Sequence, residues 1–214
     1  MIKLALPAGD LRTPVAGLLD FAGLPIEGYG EGSRAYRLAA RGNDDLAARV
    51  FREKDIPVQV ALGNYDLGIC SIAWVKEMQA RFPREPIVPL CDLGVGRTSV
   101  FAAAADTRCQ SLADLGSLPV VRIASEYPNL ADVFARSARL RRYRIQPVWG
   151  AAEAYPPEDA DCVLAASADE AALTSQALKP LHKLLDNSAW LIGNARALAG
   201  RDLSAIIGRF LVTS

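Results

Sequence analysis

Residues 160–175 read ADCVLAASADEAALTS, an apolar run of strand length followed at once by a helix-like pattern. In an α/β protein such a junction often binds a phosphate, because the first amides of the helix are unpaired and the helix dipole adds partial positive charge. This junction, however, carries Asp169 and Glu170, whose negative charges repel a phosphate. The stretch predicts a strand that leads into a helix, and it raises the question of whether an anion binds there.

The same alternation of apolar strand-like runs and helical faces continues outward along the chain. Helical faces are predicted over 11–19, 72–81 and 129–140. Strands that are interleaved with helices in this way predict an α/β fold built from parallel βαβ units. The predicted strands are 2–6, 33–39, 66–70, 87–93, 98–104, 119–125, 143–149, 161–166, 181–185 and 189–192.

The segment Pro83-Arg-Glu-Pro86 is the best candidate for a domain boundary. We expect two lobes, one made of residues 1–90 and 175–214 and the other of residues 91–174 inserted between them. Because ligand pockets favour domain interfaces and the carboxyl ends of strands, we expect a ligand cleft between the lobes.

The composition narrows the range of functions. Lys and Arg together number 24, as do Asp and Glu, so no net charge attracts nucleic acid or an anionic membrane. No apolar stretch approaches the ~20 residues needed to span a bilayer, and Met1-Ile2-Lys3 leads directly into a strand. The four cysteines are scattered and there is one histidine, so a zinc site is not expected. We therefore expect a cytoplasmic protein.

The glycines of 92–96 resemble a nucleotide-binding loop, although a tight turn after a strand is the favoured interpretation.

Seven motifs of this chain occur in the order in which one enzyme family has them: Lys3–Gly9, Ser33–Arg37, Arg52–Pro57, Gly63–Ile69, Asp92–Gly96, Arg122–Leu130 and Ser188–Asn194. With these motifs the chain resembles the catalytic subunit of ATP phosphoribosyltransferase, the first enzyme of histidine biosynthesis, in its short form without the C-terminal regulatory domain.

The resemblance implies a two-lobed fold like that of type II periplasmic binding proteins, with the active site in the cleft. It implies a reaction in which N1 of ATP displaces pyrophosphate from 5-phosphoribosyl-1-diphosphate, with Mg²⁺ present. It also implies a homo-oligomer and a regulatory subunit similar to histidyl-tRNA synthetase. Five residues match family positions around the cleft, although a surface ion pair or a strand-end turn explains them equally well: Arg34, Arg52, Glu126, Tyr127 and Asn129.

The chain departs from the family where the family binds the 5-phosphate of the sugar. There the family has an acidic residue in the strand and then a Thr-Gly-x-Thr-Leu run, whereas this chain has Ala165 and then Asp169-Glu170-Ala171-Ala172. The spacing of Ser167 and Glu170 predicts a capping box, in which the protein's own side chains satisfy the start of the helix. The phosphate-binding loop is therefore predicted to be degenerate.

The charged residues of the family are also replaced in two further parts of the chain. The family's usual Lys-Gly-Arg-Leu loop after the first strand is replaced by Ala8-Gly9-Asp10-Leu11, in which Asp10 is predicted to cap the first helix. Ala73 stands where the family commonly has an aspartate.

Two hypotheses remain open at this point. The chain is either a working transferase that uses Asp169 and Glu170 to hold Mg²⁺, or a non-catalytic paralogue that binds another small molecule or a partner subunit.

Overall fold

A computed structural model describes residues 1–30, 37–39, 45–105 and 107–211 of the chain. Its contacts divide the chain into unit 1, Met1–Gly96 with Ser188–Ser214, and unit 2, Arg97–Asn187. The boundaries predicted from the sequence, 90/91 and 174/175, lie earlier at both crossovers. The difference arises because Asp92 still pairs within the sheet of unit 1, and because the strand that ends at Asn187 pairs within the sheet of unit 2.

The strands of the described residues are β1 (Ile2–Pro7), β2 (Arg37–Ala39), β3 (Leu46–Phe51), β4 (Leu67–Ser71), β5 (Ile87–Asp92), β6 (Thr98–Ala105), β7 (Val121–Ser125), β8 (Tyr143–Pro147), β9 (Cys162–Ser167), β10 (Leu178–Asn187) and β11 (Ala189–Asn194). The helices are α1 (Arg12–Phe21), α2 (Ile56–Ala61), α3 (Ile72–Arg81), α4 (Leu112–Ser117), α5 (Pro128–Ser137), α6 (Glu170–Thr174), α7 (Ala195–Gly200) and α8 (Ser204–Leu211). Among the described residues, no helix is long and apolar enough to cross a membrane.

Unit 1 contains a mixed sheet with the strand order β2-β3-β1-β4-β11-β5. β1 runs parallel to β3 and β4, whereas β11 runs antiparallel to both β4 and β5. Residues 4–6 of β1 are fully buried. Leu4 and Leu6 pack in one core with Val15 of α1 and Phe210 of α8. These apolar contacts hold the carboxyl ends of β1, β3 and β4 at one edge of the sheet.

Unit 2 contains a second mixed sheet with the order β10-β6-β9-β7-β8. β7 runs parallel to β8 and β9, and β6 runs antiparallel to β9 and β10. Phe101, Val163 and Leu178 belong to one buried cluster that also includes Leu173 of α6. Burial of Leu173 anchors the short helix α6 to the sheet.

The α/β fold predicted from the alternating pattern is confirmed. The predicted strand over 33–39 is present at Arg37–Ala39, and residues 33–36 lie outside the described residues. The sequence analysis did not predict β3, although its burial alternates along Leu46–Phe51 as expected for a strand with one buried face.

Candidate functional site

One edge of the unit 2 sheet brings together most of the predicted site residues. β7 and β9 are adjacent and parallel, with Ser125 paired to Leu164, so both strands end at the same edge. Glu126 and Tyr127 lie in the connection after β7 and Asn129 lies in the first turn of α5, while the junction after β9 carries Asp169 and Glu170. Ligands of α/β sheets bind at the carboxyl ends of strands, so this edge is a candidate site.

Ser125, which the sequence analysis missed, holds the first of these two turns in place. Its hydroxyl donates a hydrogen bond to the carbonyl oxygen of Leu164 at 2.7 Å and accepts one from the backbone N–H of Tyr127 at 2.8 Å. Both Ser125 and Tyr127 are buried. This serine therefore links the end of β7 to β9 and fixes the backbone from which the Glu126 and Asn129 side chains extend.

In the β9–α6 junction, residues 165–173, a side chain of the protein itself caps one backbone amide in the first turn of α6. The Asp169 carboxylate accepts the backbone N–H of Ala172 at 2.8 Å, and Asp169 has the extended backbone of an N-cap residue. The prediction that Ser167 and Glu170 form a capping box is wrong, because the capping residue is Asp169. β9 continues through Ser167, which pairs with Ser99, and the Ser167 hydroxyl donates to the carbonyl oxygen of Asp169 at 3.0 Å.

The rest of the junction offers few donors for an anion. Ala165 and Ala172 carry only methyl groups where the family has polar side chains, and both are partly buried. Asp169 and Glu170 are exposed. Arg97, which immediately precedes β6, adds positive charge at this same edge of the sheet.

The acidic pair at the junction fits a helix cap better than a metal site. Mg²⁺ takes carboxylate oxygens and often needs only one or two of them besides water and substrate phosphates. The carboxylate of Asp169, however, already accepts the Ala172 N–H through one of its oxygens. The acidic pair is therefore explained as a helix cap without a metal ion.

The corresponding edge of the unit 1 sheet carries Arg52, which follows β3 and is exposed. The carboxylate of Glu53 accepts the backbone N–H of Ser71 at 2.7 Å, at the start of α3. Ala73, in the first turn of that helix, is fully buried. Arg34, the remaining predicted site residue, lies outside the described residues.

The glycine-containing segment 92–96 is a turn, as predicted. The Asp92 carboxylate accepts the backbone N–H of Gly94 at 2.9 Å and the hydroxyl of Ser188 at 2.7 Å. Gly96 has a φ of +64°, and a Cβ there would lie 2.1 Å from Leu11. The segment is therefore a packed connection that needs glycine, which accounts for it without a nucleotide.

The prediction that Asp10 caps the first helix is wrong. Residues Gly9–Leu11 form a 3₁₀ turn that runs into α1, so Asp10 lies inside the helical segment. The N-cap of this turn is Ala8 and that of α1 is Leu11, and neither side chain can accept a hydrogen bond. Asp10 is exposed instead.

Arg12 and Tyr29 form a contact next to this turn that the sequence analysis did not identify. The Arg12 guanidinium carbon lies 5.3 Å from the centre of the Tyr29 ring. The buried Tyr29 hydroxyl donates to the carbonyl oxygen of Pro7 at 2.8 Å. Burial raises the pKa of Tyr29, which Arg12 partly opposes, so the phenol stays neutral and remains a donor.

The cysteines do not supply a nucleophile. All four are free and buried. Burial raises the pKa of Cys70 well above its usual value and that of Cys162 to about 12. Since the thiolate is the reactive form, these side chains are inert near neutral pH.

Comparisons with known proteins identify relatives over most of the chain. A model of the ATP phosphoribosyltransferase (HisG) family matches residues 52–211. The ATP phosphoribosyltransferase of Methanosarcina barkeri is 29% identical over 206 residues, which cover 94% of this chain and 67% of that protein. That of Prosthecochloris aestuarii is 26% identical over 200 residues, which cover 91% of this chain and 64% of that protein. The chain thus spans about two thirds of the length of these relatives.

A solved structure shares the fold. A chain of the ATP phosphoribosyl transferase (HisG:HisZ) complex from Thermotoga maritima superposes with a TM-score of 0.80 and 18% sequence identity. The superposition covers 100% of this chain and 98% of that chain. At this level of identity the likeness establishes a common fold.

Proposed function

This chain belongs to the ATP phosphoribosyltransferase family, and we propose that it is a member that neither binds 5-phosphoribosyl-1-diphosphate at the β9–α6 junction nor catalyses the family reaction. That reaction, the first step of histidine biosynthesis, displaces pyrophosphate from this substrate with N1 of ATP. Pyrophosphate is a good leaving group, so catalysis depends on positioning the substrate and neutralising its charge. Loss of phosphate binding therefore removes what the reaction most needs.

The observation that carries the proposal is the hydrogen bond from the Ala172 N–H to the Asp169 carboxylate, at 2.8 Å. A phosphate that bound this turn would have to displace a carboxylate that belongs to the chain. It would also meet the negative charge of Glu170 in the first turn of α6. With alanine at 165 and 172, the junction has no polar side chain at these positions to take over the lost contacts.

In place of the family reaction, we assign to the chain the role of a non-catalytic paralogue that binds another small molecule. The residues proposed to contact that ligand are those that keep the family's residue types: Arg34, Arg52, Glu126, Tyr127 and Asn129. The Ser125 hydrogen bonds support this assignment, because they hold the turn that carries three of them.

The competing function is a working transferase in which Asp169 and Glu170 hold Mg²⁺ next to the substrate. Hard cations favour carboxylate ligands, so the residue types permit it. Against it stands the use of the Asp169 carboxylate as a helix cap. The two functions differ in whether the substrate stabilises the unmodified chain when Mg²⁺ is present.

The assembly proposed for the chain follows its solved relative, which was obtained as a HisG:HisZ complex. We propose association with a regulatory subunit similar to histidyl-tRNA synthetase, in a homo-oligomer of this chain. Light scattering after size-exclusion chromatography, with and without such a subunit, tests the association. A chain that elutes unchanged in the presence of the subunit contradicts it.

Thermal denaturation with 5-phosphoribosyl-1-diphosphate and Mg²⁺ tests the proposed function. A ligand at 100 times its Kd stabilises a folded protein by ~2.7 kcal/mol, which corresponds to ~5–10 °C in a chain of this size. We expect no such rise in Tm for the unmodified chain, and a rise for the triple variant Asp169→Thr, Glu170→Gly, Ala172→Thr. The matched control is Asp169→Asn with Glu170→Gln, which removes the charges without adding hydroxyls or a glycine. A rise of this size in the unmodified chain contradicts the proposal.

A further inference from the structure

Arg12 occupies a defined position at the carboxyl edge of the unit 1 sheet. It is the first residue of α1, directly after the turn that follows β1. Its guanidinium lies over the ring of Tyr29, and the Tyr29 hydroxyl is bonded to the backbone at Pro7. The ring is thus fixed to the end of β1, and it holds the guanidinium at the edge where β1, β3 and β4 end.

One edge of this guanidinium has no hydrogen-bond partner. The Nε and Nη2 atoms of Arg12 are shielded from solvent and, within the described structure, make no hydrogen bond. These two nitrogens lie on the same side of the planar group, so their N–H bonds form a fork that matches two oxygens of a carboxylate or phosphate. Buried donors are almost always paired, and an unpaired set calls for a partner such as a bound ion.

We propose that the Arg12 fork binds the oxyanion group, phosphate or carboxylate, of a small-molecule ligand of unit 1. The edge is one at which α/β sheets bind ligands. Because the Arg12 side chain is partly exposed whereas its fork is shielded, binding requires the guanidinium to rotate and turn the fork toward an anion from solvent.

Charges of both signs lie near this position. Exposed Arg52, which follows β3 at the same edge, adds positive charge. Glu53 contributes negative charge and raises the pKa of Tyr29, although its carboxylate accepts the Ser71 N–H at the start of α3, and the Asp92 carboxylate accepts the Gly94 N–H and the Ser188 hydroxyl. Asp10 is exposed to solvent, where its repulsion is screened by salt.

This inference deepens the proposed function and in that respect rests on it, since the small molecule proposed there contacts Arg52 at this same edge. It is independent of the proposed loss of 5-phosphoribosyl-1-diphosphate binding at the β9–α6 junction of unit 2, which is tested with a different ligand and different residues. Inorganic phosphate can bind at Arg12 whether or not 5-phosphoribosyl-1-diphosphate binds the chain, so either proposal can fail while the other stands.

The test follows the Nε–H resonance of Arg12 in ¹H–¹⁵N spectra of the full chain, assigned by its disappearance in Arg12→Lys. Sodium phosphate and sodium citrate are titrated separately against sodium chloride at equal ionic strength. We expect the resonance to shift with phosphate, citrate or both, but not with chloride. A shift with phosphate alone identifies a phosphate site, and a shift with citrate alone identifies a carboxylate site.

The variant Arg12→Lys keeps the positive charge and loses the fork. We expect it to raise the apparent Kd for the effective anion ~10-fold or more, as for loss of a charge-assisted hydrogen bond. The control is Arg49→Lys, because Arg49 also lies 5.3 Å from an aromatic ring centre, that of Phe51, and is exposed. A resonance that moves with neither anion overturns the proposal, as does unchanged affinity in Arg12→Lys. The first outcome is read on the unmodified chain, so it does not depend on whether a variant folds.

Discussion

Replacing Asp169 tests whether its carboxylate serves as a helix cap. Asp169→Ala removes the acceptor of the Ala172 N–H and leaves the first turn of α6 with an unsatisfied amide. Loss of an Asp cap to Ala costs ~0.5–2 kcal/mol, and we take ~1 kcal/mol because Asp169 is exposed and makes this hydrogen bond. In a chain of this size that change lowers Tm by ~2–4 °C.

Two further variants separate capping from charge. Asp169→Asn keeps an oxygen that can accept the same N–H, and Asn caps helices about as well as Asp, so most of the stability is retained. Glu170→Ala removes the neighbouring carboxylate, and we expect its effect on the unfolding free energy to stay within ~0.5 kcal/mol, as for most surface substitutions. We therefore expect similar free energies of unfolding for the unmodified chain, Glu170→Ala and Asp169→Asn. Asp169→Ala should have the lowest value.

Urea denaturation followed by circular dichroism measures these differences, once with EDTA and once with millimolar Mg²⁺. For a cap, the differences are the same in both conditions. For a metal ligand, Mg²⁺ stabilises the unmodified chain and the stabilisation disappears in Asp169→Asn. That result, or an Asp169→Ala variant as stable as the unmodified chain, would refute the capping argument.

Three other substitutions have defined outcomes by the same denaturation assay. Asp161→Asn should cost ~2–3 kcal/mol, because the buried carboxylate accepts two guanidinium N–H bonds and the backbone N–H of Arg122; equal stability of the variant at pH 7 would contradict this. Burial favours the neutral acid, but the Arg122 hydrogen bonds outweigh it and hold the pKa of Asp161 below its usual value, so this stability should be present above ~pH 4 and be lost as the pH falls further. Ser125→Ala should cost ~1–3 kcal/mol, since it leaves the buried Tyr127 N–H and Leu164 carbonyl without their partner; a smaller loss would mean that the turn is held by other contacts. Gly96→Ala should destabilise unit 1 through its positive φ and the clash with Leu11, whereas the control Gly17→Ala, in α1 with nothing within 4 Å, should stabilise by ~0.5–1 kcal/mol; similar effects of the two would argue against the packing of segment 92–96.

The parts of the fold that could be predicted from the sequence are the buried apolar runs bounded by turn residues. β1, β4 and β9 each read as such a run, and α3 and α5 have clear amphipathic spacing. β3 was missed because Leu46-Ala-Ala-Arg has as much helix propensity as strand propensity. Its identity as a strand comes from pairing with β1 and β2, which is a tertiary contact.

The two capping predictions failed for a related reason. Both Ser167 and Asp169 are good cap residues, and the choice between them depends on where β9 stops. Pairing of Ser167 with Ser99 extends the strand, so the helix starts after Asp169. For Asp10, the 3₁₀ turn begins at Gly9, two residues before the helix start that a cap at Asp10 predicts. A local pattern does not contain these pairings.

Only the parts of the candidate site that lie within recognisable sequence motifs could be predicted. The sequence predicted that residues 126–129 and 165–173 each follow or end a strand, whereas the pairing that makes these strands, β7 and β9, neighbours is a tertiary contact. Arg12 could not be identified in this way. Its unpaired fork depends on the position of Tyr29, which is distant in sequence and reaches β1 through the hydrogen bond to Pro7.

Release of pyrophosphate tests the central claim most directly. The purified chain, with its regulatory subunit added in a parallel sample, is incubated at high concentration with ATP, 5-phosphoribosyl-1-diphosphate and Mg²⁺, and pyrophosphate is measured by a coupled assay. Omission of ATP in a further sample corrects for spontaneous hydrolysis of the substrate. The Asp169 cap and the missing hydroxyls predict no ATP-dependent release in either sample. ATP-dependent release above the corrected background would show that the β9–α6 junction still serves the family reaction.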